Sequence, residues 1–147
     1  MKKFKAFTLI ELIITIGITL IILSIGMLNF NVRDKIEAKE QIRTLAIDIK
    51  FAKNYAQVNN CRTNVKIKDD GYVLDFAGKT KSIKFNKLLK LKSTNVRDIK
   101  FTSDGKPSYR DSNNSAGTII YTIGDKKPIK ITVEPVTGKV NYYEVEK

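Results

Sequence analysis

One carboxylate, Glu11, stands alone in the apolar run Phe7–Leu28, FTLIELIITIGITLIILSIGML. A charge at the centre of such a segment costs about 3 kcal/mol and normally marks a function that involves a partner. The chemistry open to it is charge pairing, because two unlike charges in a low dielectric are each costly alone and less so together. Other reactive chemistry is scarce. The 147 residues include no His, no Trp and a single Cys, Cys61. The usual zinc arrangements and Cys–His nucleophile pairs are therefore unavailable, and an intrachain disulfide is impossible. Cys61 reads as a small packed residue at a helix end. No GxxxxGK[ST] string is present, and Gly71 marks the one adjacent acidic pair, Asp69-Asp70, as a turn. An enzyme is not expected, nor a cofactor or a metal.

The second candidate is a block of cations. The net charge is +12. Residues 62–78 and 111–147 are balanced, whereas residues 79–110 set ten Lys/Arg against Asp98 and Asp104. Such a block is either a solvated face or a footprint for a polyanion. Lys84, Lys87, Lys90, Lys92, Arg97, Lys100 and Arg110 are the candidate phosphate contacts. Phe85 and Tyr109 are the candidates for stacking on bases.

These groups must be held by a long helix and a set of strands. At about 1.5 Å per residue the apolar run reaches roughly 33 Å, enough for a bilayer core. The basic residues Lys2, Lys3 and Lys5 before it favour an N-terminus-in orientation. From Asn29 to Asn60 the helix continues, with Ala38, Ile42, Leu45, Ile49, Ala52 and Ala56 forming one apolar stripe. Arg33, Lys35, Glu37, Lys39, Glu40, Arg43 and Asp48 are assigned to its other faces. Asn59-Asn60 is the expected stop, since Asn tolerates the left-handed conformation. After Cys61 come short alternating runs: Val65 and Ile67, Tyr72–Ala77, Ile99–Phe101, Thr118–Ile123, Ile129–Glu134 and Lys139–Val145. Lys79–Lys92 is ambiguous between strand, turn and short helix. The expectation is an α+β protein in which one long helix packs on an antiparallel meander. Residues 1–6 form a leader, 7–28 a membrane or filament-core helix, 29–60 an amphipathic helix, and 61–147 a β-rich domain.

The run is too long for an ordinary secretory signal, and no Ala-x-Ala site follows it. KAFTLIEL resembles the N-terminal signal of type IV prepilins and type II secretion pseudoprepilins. The resemblance implies that a prepilin peptidase cuts between Ala6 and Phe7 on the cytoplasmic side and methylates the new amino group of Phe7. The retained helix would join a filament core, with Glu11 pairing with an N-terminal amine as a register device. The family usually has Gly before the cut, and Ala6 stands there. Classical pilins also have a Pro about 22 residues into the mature helix, a position held here by Leu28.

The C-terminal half is similar to the GspH/FimT domain of minor pilins and pseudopilins, through IKFTSDGKPS, AGTIIYTI and IKITVEPVTGKV. The likeness rests on Phe101, Asp104, Gly105, Gly117, Thr118, Ile119, Thr137, Gly138, Lys139 and Val140. It implies a structural subunit that initiates or modulates a type IV pilus, a secretion pseudopilus or a competence filament. Its implied partners are the prepilin peptidase, other pilins, the cytoplasmic (inner) membrane and, indirectly, an assembly ATPase. Its implied place is a single-pass protein of that membrane, then an extracytoplasmic filament. The alternative is a minor pilin that captures DNA through the basic block.

Overall fold

The structure is a computed structural model that describes residues 8–109, 115–124 and 128–144, leaving out the side chains of 25–31. Among the described residues one helix, α1 (Leu9–Val58), precedes eight strands. These are β1 (Thr63–Lys68), β2 (Gly71–Phe76), β3 (Lys79–Lys84), β4 (Leu89–Thr94), β5 (Asp98–Phe101), β6 (Gly117–Ile123), β7 (Ile129–Val133) and β8 (Val140–Glu144). The α+β class expected from the sequence is observed. The chain divides into two compact units at Asp34/Lys35, within α1.

In the first unit, Thr8 caps the helix: its Oγ1 accepts the Glu11 amide N–H at 3.4 Å. Thr8-Leu9-Ile10-Glu11 has the spacing of a capping box, with Glu at the third helical position. From Leu9 to Leu23 the large apolar side chains are exposed all round the helix, between 52% and 77% of their surface. No core lies under them. Among the described residues no helix is long and apolar enough to cross a membrane. The run Phe7–Leu28 extends past the side chains described, and α1 stays helical through Leu28.

The second unit has its own core. Ile42, Leu45 and Ile49 of α1 are fully buried with Val65, Leu74, Ile99, Phe101, Ile119, Tyr121 and Ile131. Here α1 presents the predicted stripe and ends at the predicted Asn. Asn60 adopts φ 47°, and the Cys61 N–H donates to Ala56 O at 3.1 Å, the six-to-one bond of a Schellman cap.

The single meander is corrected to two four-stranded antiparallel sheets. Sheet A has the order β3-β2-β1-β5 and sheet B the order β4-β6-β7-β8. The ambiguous stretch Lys79–Lys92 is where the chain changes sheet. Asn86 supports that crossing: its N–H donates to Gln41 Oε1 at 2.7 Å, and its Oδ1 accepts the Leu88 N–H at 3.0 Å. Leu89 and Leu91 thus belong to a strand, with a register shift between Leu91 and Ser93. Gly71 is needed for close approach as well as for the hairpin, since a Cβ there would lie 2.1 Å from Ile83 O in the paired strand.

Asp48 also departs from expectation. It is 8% exposed, held by the Tyr72 hydroxyl at 2.6 Å and by Lys81 Nζ at 3.1 Å. The helical stripe is wide enough to carry a polar position into the core where two donors from sheet A satisfy it. Burial, and then the bond to Asp48, pushes the Tyr72 hydroxyl pKa far above its ordinary value.

Candidate functional site

The cleavage pair Ala6–Phe7 lies outside the described residues. Glu11 is described. It is exposed, sits in the first turn of α1, and its carboxylate has no ion-pair partner among the described residues. A negative charge in a first turn is favoured by the helix dipole and by the unpaired amide N–H groups there. Among the described residues the site therefore couples an unpartnered carboxylate to a helix whose apolar surface is also unpartnered. Contiguous apolar exposure on this scale marks an interaction surface.

The basic block does not converge as a whole. Lys84, Lys87 and Lys90 line one cavity of about 390 Å³, shared with Asp69, Asp70 and the apolar Phe85, Leu89 and Leu91. Phe85 N–H donates to Asp70 O at 2.8 Å, which fastens the crossover to the β1–β2 turn and so brings the three lysines together. Lys92 lies further along β4, exposed. Arg97 is neutralised, its guanidinium 3.0 Å from Asp69 Oδ1. Lys100 lines a different cavity, on sheet A. Arg110 lies outside the described residues.

The two aromatic candidates are not set to stack on bases. Phe85 is 8% exposed and packs its ring against Tyr72 and Tyr121, with centroids 5.7 Å and 5.4 Å away. Tyr109 is exposed, but its hydroxyl donates to Pro135 O at 2.7 Å, across two loops.

Sequence reasoning missed what surrounds Lys100. Arg62, Asn64 and Asp75 share its cavity of about 300 Å³, although they lie in the charge-balanced segment. The alternation Thr63, Asn64, Val65, Lys66, Ile67 was the available signal, since it turns Asn64 and Lys66 away from the core. Tyr121 was also unforeseen. Its hydroxyl is buried and has no hydrogen-bond partner among the described residues, and burial raises its pKa, with Arg97 opposing the rise and Asp69 adding to it. Among the described residues no cluster of His, Cys, Asp and Glu could hold a metal ion.

No curated protein and no solved structure matches the chain. Residues 1–27 match the protein family described as the prokaryotic N-terminal methylation motif, and this stretch takes in Ala6, Phe7 and Glu11. The chain thus carries a type IV pilin-like prepilin signal, which implies processing by a prepilin peptidase and assembly with other pilins.

Proposed function

We propose that this protein is a minor pilin or pseudopilin of the GspH/FimT kind, a structural subunit that initiates or modulates assembly of a pilus-like filament. The observation that carries the reading is the methylation signal running directly into a helix with apolar side chains exposed on every side. Such a helix needs lipid before assembly and neighbouring helices after it. The order of events is insertion with the N-terminus inside, cleavage between Ala6 and Phe7, lateral association through the apolar helix, and extraction by the assembly machinery. Glu11 meets the amine of Phe7, or that of a neighbour, one turn from the new N-terminus. The likeness to the GspH/FimT domain supports the finer assignment, as do the Asp104-Gly105 turn and the closing hairpin.

Coexpression with a prepilin peptidase should remove Met1–Ala6, and mass spectrometry should find N-methyl-Phe7. Glu11→Ala should leave cleavage and membrane insertion intact and reduce recovery in sheared filaments. An intact leader on assembled subunits would overturn the proposal.

A second reading is polyanion capture, favoured by the convergence of Lys84, Lys87 and Lys90 on one cavity. Phosphate contacts carry no base information, so double-stranded DNA should bind without sequence preference. The affinity should fall steeply with salt. Gln at all three positions should weaken binding and flatten the salt slope. Absence of any complex at low salt would leave the lysines as a solvated rim.

A further inference from the structure

The two sheets end in four outer strands, and three of these are protected against pairing with another chain. β5 is capped by its own loop: Phe101 bridges to Pro107, and the Ser108 N–H donates to Lys100 O at 2.8 Å. β3 carries Lys79, Lys81 and Lys84, and β4 carries Lys90 and Lys92 with a register shift between Leu91 and Ser93. Lysines and broken register are devices that keep a strand edge from adding a neighbour. β8, Val-Asn-Tyr-Tyr-Glu, has no lysine, no proline and no register shift.

The β7–β8 ladder decides which groups of that strand are free. The Glu134 N–H donates to Lys139 O at 2.9 Å, and antiparallel pairs alternate between bonded and unbonded. Asn141 and Tyr143 therefore bond to Thr132 and Lys130, while Tyr142 and Glu144 turn their N–H and C=O groups to the outer side. Among the described residues nothing bonds to them there. Tyr142 is half-buried and Glu144 exposed. Backbone groups two residues apart on a strand edge are matched by another extended chain.

The same edge runs beside a row of cations. At the end of β8, Lys39 pairs with Glu144 at 2.5 Å. Before its start, the Glu134 carboxyl is held below its ordinary pKa by bonds from Thr137 and Asn141 and then, against desolvation, by the charges of Lys139 and Lys53. Between these points, Lys39 and Arg43 oppose the rise that burial and Glu144 impose on the Tyr142 hydroxyl. β8 thus runs antiparallel to α1 from Lys53 towards Lys39, with about 21 Å of helix beside about 17 Å of strand. Lys39, Arg43, Lys50 and Lys53 fall on this one flank of α1 by helical spacing. Arg43 has only Glu40 near it, at 4.0 Å, and Lys50 and Lys53 have no carboxylate partner among the described residues.

We infer that the β8 edge binds an extended acidic segment of a partner polypeptide as an added strand. The backbone of that segment completes the groups of Tyr142 and Glu144. Its alternate carboxylates, about 7 Å apart on one face, meet the basic flank of α1. A second copy is a poor occupant, since its β8 brings one carboxylate, Glu144, which is already paired with Lys39.

The test uses the full chain in detergent micelles and fluorescein-labelled Glu-Val-Glu-Val-Glu-Val-Glu-amide, with binding read by anisotropy and amide exchange by NMR. The peptide should bind, and should slow exchange at Tyr142 and Glu144 but not along β3 or β4. The same peptide methylated at the Glu backbone nitrogens should bind at least about tenfold more weakly, and so should its lysine counterpart. Arg43→Gln combined with Lys50→Gln should weaken binding about tenfold, with circular dichroism and thermal midpoint unchanged. Lys87→Gln, on the crossover between sheets, should change nothing. Equal binding of the methylated peptide would mean ion pairing without strand addition, and would overturn the inference. So would protection on another strand, binding indifferent to the two cation changes, or no binding at millimolar peptide. Exchange at β8 that slows with protein concentration alone, untouched by peptide, would assign the edge to a second copy and overturn it as well.

Discussion

The two stretches of α1 are both helical and both rich in apolar residues, yet they solve opposite problems. Between Leu9 and Leu23 the large apolar side chains surround the helix, and each is more than half exposed. Between Ala38 and Ala56 most of them keep to one stripe, in which Ile42, Leu45, Ile49, Ala52 and Ala56 are fully buried, while Ile47 and Phe51 stay exposed beside it. A helix apolar on all sides belongs in lipid or among other helices, whereas a striped one packs on its own domain. The difference separates two sources of stability. The second unit buries its core within residues 38–140, and the first has no buried side chain among the described residues.

The sharpest way to break this comparison is to remove the same bulk from each stretch. Leu45→Ala opens a cavity under both sheets and should lower unfolding stability by about 2–5 kcal/mol in chemical denaturation. Ile14→Ala should shift the same transition by less than about 0.5 kcal/mol, since its side chain is exposed. Comparable losses at both sites would mean that the apolar stretch contributes to the domain core.

A smaller effect should come from the polar position within the stripe. Asp48→Ala leaves the buried Tyr72 hydroxyl without its acceptor, at a cost of about 1–3 kcal/mol. The Lys81 side chain is 52% exposed, so its share is screened by water and small. Tyr72→Phe on the Asp48→Ala background should add little, and a double-mutant cycle should find strong coupling between the two. Additive losses would show that the bond at 2.6 Å does not anchor helix to sheet.

The smallest effects concern the buried hydroxyls. Tyr72 and Tyr121 have folded-state pKa values above the unfolded value near 10. For a raised pKa the stability is fully present below the unfolded value and is lost as pH rises through the folded one. The domain should therefore hold constant stability on this account up to about pH 10 and weaken beyond it. Tyr121→Phe should blunt that alkaline decline. At neutral pH it should be neutral or slightly stabilising, because it deletes a buried group that has no partner among the described residues. Marked destabilisation by this change at pH 7 would reveal a partner for the hydroxyl.

What could be read from the sequence was local. The helix, its stripe, its Asn60 stop and the hairpin at Asp69-Asp70 depend on spacing within a few residues. So does KAFTLIEL, which the methylation-motif match covers. What could not be read depends on pairing across long separations. The partition into two sheets turns on Leu89–Thr94 finding β6 instead of β3. The burial of Asp48 turns on donors 24 and 33 residues away. The basic block dispersed for the same reason: neighbours in sequence went to different sheets, and Lys100 met Arg62 and Asp75 instead of Lys90.

The second unit joins α1 to its sheets at several levels along one axis. Lys39 pairs with Glu144 of β8, Gln41 accepts the Asn86 N–H, Asp48 binds Tyr72 and Lys81, Ala52 O accepts the Thr63 hydroxyl, and Gln57 donates to Asp104 O. A tensile load applied along the helix would strain these attachments in parallel, as shear on a riveted seam. A load applied across the helix would reach them one after another, as in peeling. The domain is therefore mechanically anisotropic, resisting traction along α1 far better than leverage against it.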